Sequence, residues 1–287
     1  MRKLLVQKVK EIVIAGHGIL FVDGIPGFVD IRKATLPLFS KLANLPEQTL
    51  KKYMRPEIFH SQGWSCGVEQ FQGKYDTSKG SFYMNCVTDD PQPIAEKDKH
   101  LYSADEIKMN VGNKWVDELP EFEKNVKALS KKMMEVGAML AKQIDAYASK
   151  NIPSYPKDNL YRIITTGHGH IGRALHYFPF EERGQAEDDW CGWHNDHGSL
   201  TALTSAMYVD EAGNEVTLKA NSGGLYAKNR FTEMARIAIP PHMMAFQLGE
   251  SSQIHTGGYL EATPHCVVRN EEIAGKKIAR DTFALFM

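Results

Sequence analysis

The stretch WHNDHGSL, Trp193–Leu200, sets two histidines and an aspartate within four positions. All three side chains are metal-ligand types, so the local conformation decides which can act together. The following residues, SLTALTSAMYV, are rich in Thr, Leu, Tyr and Val and favour a strand. On a strand alternate residues share a face, so His194 and Asp196 point one way and His197 the other. A helix would pair His194 with His197 instead, but Gly192 and Gly198 on the flanks speak against one. His194 and Asp196 would serve equally as a surface hydrogen-bonded couple. As metal ligands they need a third partner from a neighbouring strand. Two histidines and one carboxylate form the facial set that suits non-haem Fe(II) and leaves coordination positions open.

Several histidines compete for that third place. His168 and His170 lie in the Gly-rich TTGHGHIG, and His242 follows two prolines. His17, His60 and His100 belong to the N-terminal half. His176 and His255 fall in strand-like surroundings. His265 stands in EATPHCVVRN, on a short apolar strand after a proline, where sheet hydrogen bonds would mount a ligand stiffly.

The rest of the chain supplies the frame. At 287 residues it reads as one large domain spanning 1–287, long enough to bury a substantial core. Ile19–Val22 is a Gly-flanked buried strand, and DIRKATLPLFSKLANLPEQTLKKY is helix punctuated by Pro37 and Pro46. Residues 56–118 are rich in turn formers. Phe122, Val126, Leu129, Met133, Val136, Leu140, Ile144 and Tyr147 step by three or four and predict a long amphipathic helix. Met133 and Met139 are both expected on its packed stripe. After about residue 150 the runs ALHYFPF, LTALTSAMYV, SGGLYAK, ARIAIPP, MMAFQLG, ATPHCVV and ARDTFALFM predict short strands of an antiparallel barrel or jelly roll. The expected organisation is a helical part over about 1–150 and a β-rich core over about 151–287.

The net charge of −1 argues against a nucleic-acid binder, which needs clustered basic charge. No apolar run is long enough to span a membrane. Met1–Val13 reads as an amphipathic helix rather than a secretory signal. Four cysteines without a C-x-x-C pair suit a reduced, cytoplasmic protein. The partner expected on these grounds is a small molecule.

Taken in order, the pieces resemble the iron(II)/2-oxoglutarate-dependent dioxygenases related to isopenicillin N synthase. WHNDHGSLTAL is similar to the family's His-x-Asp strand. GGLYA resembles the next strand, and AFQLGESSQIHTGGYLEATPHCVV the Gly-acidic turn, loop and distal histidine. RDT is similar to Arg-x-Ser/Thr. In the N-terminal half GILFVDGIPGFVD, LFSKLANLPEQTLKKY and NKWVDELPEFEKNV resemble the family's entry segment, following helix and Trp-containing approach to the long helix. The resemblance covers nearly the whole chain.

The resemblance implies a double-stranded β-helix (jelly-roll) core flanked by N-terminal helices, mainly β with α. It implies Fe(II) on His194, Asp196 and His265, and the distal carboxylate of 2-oxoglutarate on Arg280 and Thr282. The implied activity is an oxidoreductase, a dioxygenase that hydroxylates or desaturates a small organic substrate with O2 and releases succinate and CO2. ARDTFALFM independently puts Arg280, Thr282 and Ala284 on one strand face, and a guanidinium fork matches a carboxylate.

The chain departs from the family pattern in places. Phe178 stands where a co-substrate-binding Tyr is common, and His176 where Asn is, which makes His176 a candidate co-substrate contact. Cys266 replaces the usual Arg after the distal histidine. His265 and Arg280 are unusually far apart, with NEEIAGKK as a turn insertion, and the family's first strand before the opening helix is missing, from a late start or an open sheet edge. Phe178, Tyr83 and Phe286 are candidate substrate contacts, and Trp64, Phe82 and Met207 further pocket candidates. Three alternatives stay open: a same-fold Fe(II) oxidase that does not use 2-oxoglutarate, zinc-assisted hydrolysis on the same ligands, and a non-catalytic metal-binding relative.

Overall fold

The computed structural model describes residues 16–71, 73–179, 189–218, 223–273 and 275–287. The helix expected over Met1–Val13 lies outside them. In chain order the strands are β1 (Ile19–Val22), β2 (Gly63–Cys66), β3 (Gln70–Phe71), β4 (Lys74–Tyr75), β5 (Lys79–Asn85), β6 (Ile171–Tyr177), β7 (Asp189–His194) and β8 (Leu200–Thr204). They continue with β9 (Met207–Val209), β10 (Glu215–Val216), β11 (Gly224–Lys228), β12 (Met234–Ile237), β13 (Met244–Leu248), β14 (His265–Val268) and β15 (Ala279–Phe286). A nine-stranded sheet runs β1-β13-β8-β15-β6-β5-β2, with β9 joining β15 and β10. A four-stranded sheet, β12-β11-β14-β7, lies apart from it, and β3 and β4 form a separate hairpin. Pairing is antiparallel throughout. The two larger sheets enclose a common interior, and the chain passes from one to the other between β7 and β8. This is the expected jelly roll.

The helices are α1 (Phe28–Thr35), α2 (Pro37–Ala43), α3 (Glu47–Lys51), α4 (Ala104–Met109), α5 (Pro120–Asn151), α6 (Asn159–Thr166) and α7 (Glu250–His255). Pro37 and Pro120 occupy first-turn positions of α2 and α5, where the missing N–H costs nothing. Pro46 caps α3. The eight residues from Phe122 to Tyr147 that step by three or four along α5 are all buried. Met139 is not on that stripe. It is 62% exposed, because it lies off the three-and-four spacing that its neighbours keep. Gly137 lets α5 approach the sheet closely: a Cβ there would meet the Met287 side chain at 2.9 Å. No helix among the described residues is long and apolar enough to cross a membrane.

Two cores result. Helices α1, α2 and α5 pack Phe28, Phe39, Phe122, Leu129 and Met133 onto one face of the large sheet, against Phe82, Ala174, Ala202, Phe246 and Phe283. The other face meets the small sheet through Leu175, Tyr177, Leu225, Val267 and Ala284. Along β15, Phe283 and Leu285 face the helices while Ala284 faces the small sheet.

The organisation differs from the sequence expectation in two respects. The N-terminal part is not simply helical, since β1, β2 and β5 complete the same large sheet as β6 and β15. β5 is nearly buried throughout, its polar Lys79, Ser81 and Asn85 included. The second is α6, a helix where only strands and loops were expected. Its Leu160 and Tyr161 N–H groups donate to the Asp145 carboxylate of α5 at 2.9 and 2.8 Å, and Tyr155 Oη donates to it at 2.6 Å. A tertiary partner from α5 thus supplies the cap that the N-cap residue Asp158 does not make.

Candidate metal centre

β7 ends at His194, so Asp196 lies beyond the strand on which alternation had put it. It sits in the crossover to β8. There Glu250 N–H donates to Asp196 O at 2.8 Å, and Ser199 and Leu200 N–H donate to Met287 O at 2.7 and 3.2 Å. Gly249 is packed against this crossover so closely that a Cβ would fall 2.1 Å from Gly198 O. The crossover, not strand alternation, returns Asp196 to the His194 side. His197 turns outward, 91% exposed in its side chain, with Nδ1 2.7 Å from Glu250 Oε2.

His265 opens β14 and is the register partner of His194. The two rings lie 4.2 Å apart between centroids. Asp196 Oδ1 is 3.9 Å from His194 Nε2 and 3.7 Å from His265 Nε2, and one ligand atom from each residue lies within 4.8 Å of the others. Among the described residues no other histidine joins such a cluster. The same device orients both rings. His194 Nδ1 donates to Gly192 O at 2.8 Å and His265 Nδ1 to Thr263 O at 2.9 Å. Each bond fixes the tautomer and turns the Nε2 lone pair toward the shared point. The hydrogen bond with Cys191, 3.8 Å from Nδ1, pushes the His194 imidazole up to about 9, so a metal ion competes with a proton for Nε2, whereas burial pushes His265 down.

Between the sheets lies a cavity of about 210 Å³. His194, Asp196, Gln247 and His265 stand on one part of its wall, and Leu203, Tyr208, Leu225, Val267 and Phe286 give it apolar sides. Arg280 and Thr282 line it as well, with the Arg280 guanidinium 4.9 Å from the Tyr177 ring centre. Arg173 and Arg236 also line the wall; Arg173 Nε donates to Ser81 Oγ at 3.0 Å and its Nη2 to Glu69 Oε1 at 2.6 Å. Burial pushes the Glu69 carboxyl up, but Arg173 and Lys79 outweigh it and hold the group at about 2.

Two expected contacts face the wrong way. Arg280 pairs in register with Tyr177, so Arg173, Leu175 and Tyr177 of β6 face the cavity while Ala174 and His176 face the helices. Phe178 follows His176 into the helix-side core, with the two rings 4.8 Å apart. His176 Nδ1 donates to Asp281 Oδ1 at 2.7 Å, and Ser40 Oγ donates to Asp281 Oδ2 at 2.6 Å. His176 therefore joins β6 to β15 and α2 through Asp281 and Ser40, and it does not line the cavity. His176→Ala is expected to lower stability by about 1–3 kcal/mol, the cost of losing a buried hydrogen-bond partner, and to leave 2-oxoglutarate binding unchanged. Chemical denaturation and calorimetric titration check the two halves.

Of the substrate candidates, Phe286 is in the wall. Tyr83 is one step behind it, its Oη donating to Glu69 Oε1 at 2.7 Å and its ring 4.8 Å from the Arg173 guanidinium. Trp64, Phe82 and Met207 are core residues. Tyr177, Arg173 and Gln247 escaped the sequence expectation. The parity of β6 carried the signal for the first two, because Arg173 and Tyr177 alternate with the small Ala174.

The sequence matches no protein-family model and no curated protein. Solved structures do match. A Caulobacter crescentus protein assigned to the 2OG-Fe(II) oxygenase family superposes with a TM-score of 0.70 at 19% identity, over 99% of this chain and 82% of that one. A full-length Neurospora crassa protein, solved in complex with alpha-KG and 5-formyluracil, gives 0.66 at 16% identity, over 99% and 79%. The rice dioxygenase for auxin oxidation, DAO, gives 0.62 at 16% identity, over 99% and 77%. The chain has the fold of these oxygenases.

Proposed function

We propose that this protein is an Fe(II)/2-oxoglutarate-dependent oxygenase that hydroxylates or desaturates a small organic molecule, releasing succinate and CO2. One observation carries the proposal: His194, Asp196 and His265 converge on the wall of an inter-sheet cavity that Arg280 and Thr282 also line. Two imidazole nitrogens with one carboxylate oxygen fit Fe(II). When bound there, Fe(II) supplies open positions for 2-oxoglutarate and O2 and the redox chemistry.

The protein's own part is placement. Arg280 offers its guanidinium fork to the distal carboxylate of 2-oxoglutarate, and Thr282, two residues along β15, adds a hydroxyl on the same face. Tyr177 backs the guanidinium with its ring. The apolar walls keep water from the reacting centre. No side chain need act as a general acid or base. A cytoplasmic, reducing compartment suits Cys191, whose oxidation beside His194 would disturb a ligand.

An oxidase independent of 2-oxoglutarate was suggested by Phe178, but Tyr177 takes the cavity-facing place, so that support falls away. Incubation with Fe(II), 2-oxoglutarate and O2 is expected to give slow succinate and CO2 formation without substrate, and faster formation with a substrate drawn from a small-molecule panel. Iron uptake with no succinate under either condition would sink the proposal.

A further inference from the structure

Strand β13 reads MAFQL, a single amide in an apolar run. Its Met244, Phe246 and Leu248 pack on the helix side. Gln247 points the other way, lines the cavity and is 1% exposed. Its Nε2 lies 2.6 Å from Asp196 Oδ2 and 3.1 Å from His265 Nε2. An ionised carboxylate only accepts hydrogen bonds, so Gln247 must present its NH2 to Asp196 and turn its C=O away. That carbonyl oxygen, Oε1, is buried and has no hydrogen-bond partner among the described residues.

An orphaned buried acceptor is costly, and an apolar side chain of the same volume would fill this place without it. Packing therefore does not explain the residue. Its neighbours do. Asp196 has two oxygens, and only Oδ1 is turned toward both histidines. Occupying Oδ2 stops the carboxylate from rotating to offer both oxygens at once. A one-oxygen carboxylate leaves one more coordination position open than a two-oxygen one, and a facial site depends on open positions.

We propose that Gln247 is a positioning residue of the metal site, holding Asp196 to a single ligating oxygen through Nε2 and offering Oε1 as acceptor to a hydrogen-bond donor in the cavity. The proposal rests on the metal reading given above.

Gln247→Met keeps the length and approximate volume of the side chain and removes both polar atoms. Titration with Co(II) alone, followed by visible absorption, reads affinity and ligand geometry without turnover. The expected result is about 10- to 100-fold weaker Co(II) binding, with an altered absorption band at saturation. A merely structural role would move thermal stability and leave the saturated band unchanged. Equal affinity and an identical saturated band in Gln247→Met would overturn the proposal while leaving the metal site standing. Wild-type protein that binds Co(II) no better than His265→Ala would overturn both. If Gln247→Met does not fold, selective 15N labelling of glutamine in the wild-type protein with Zn(II) bound decides. The Gln247 amide protons should stay hydrogen-bonded and exchange slowly, and free, fast-exchanging protons would overturn the proposal.

Discussion

His265→Ala is expected to weaken Fe(II) binding by more than about 100-fold, beyond the 10- to 100-fold typical of losing an outer-shell partner, and to abolish 2-oxoglutarate turnover. The residue is 6% exposed and its ring faces His194 across a register pair. Removing it leaves one imidazole and one carboxylate, which hold a divalent ion poorly. The fold should survive, because β14 is anchored on both sides by β11 and β7 through backbone bonds that alanine keeps. His197→Ala is the matched control. That ring is close in sequence to both His194 and Asp196 yet points outward to Glu250, so its loss should change neither metal content nor turnover. Metal analysis after gel filtration and succinate release measure both variants.

Arg280→Met is expected to raise the KM for 2-oxoglutarate roughly 150-fold while Fe(II) affinity stays within about twofold. A charge-assisted hydrogen-bonded contact is worth about 3 kcal/mol, and each 1.4 kcal/mol is about tenfold. Arg280 is 6% exposed, so solvent does not dilute the contact. Removing one buried charge from among its neighbours can itself cost stability, so thermal melting must separate lost binding from lost fold. Arg280→Lys keeps the charge but not the fork and should recover only part of the loss. An unchanged KM in Arg280→Met would move the co-substrate site elsewhere, with Arg173 and Arg236 the other guanidiniums in the wall.

Much of this site was legible because ligand chemistry is local and sheet alternation is simple. Arg280, Thr282 and Ala284 follow the strand period and lie where it puts them. His194 and Asp196 do come together, but for a different reason. Strand β7 stops at His194, and the Gly198–Gly249 contact with the Glu250 backbone bond brings Asp196 back. No local pattern encodes a crossover held by a segment as far along the chain as Glu250 is from Asp196. The resemblance put Phe178 and His176 toward the co-substrate, one position out of step with the strand's facing. The pairing of Tyr177 with Arg280 sets the facing, and that pairing is nonlocal. β5 hid for a third reason: Lys79, Ser81 and Asn85 do alternate with Gly80, Phe82 and Met84, but the strand stands in a stretch dominated by turn formers.

The central claim is that His194, Asp196 and His265 hold Fe(II) with positions left open for 2-oxoglutarate held by Arg280. Anaerobic addition of Fe(II) and 2-oxoglutarate, followed by visible absorption, tests it most directly. Chelation of bound Fe(II) by a 2-oxo acid gives a charge-transfer band that neither component gives alone. The band should appear only with both present, saturate at one iron per chain, be absent in His265→Ala, and need far more 2-oxoglutarate in Arg280→Met. Iron binding without the band, or the same band in His265→Ala, would contradict the account.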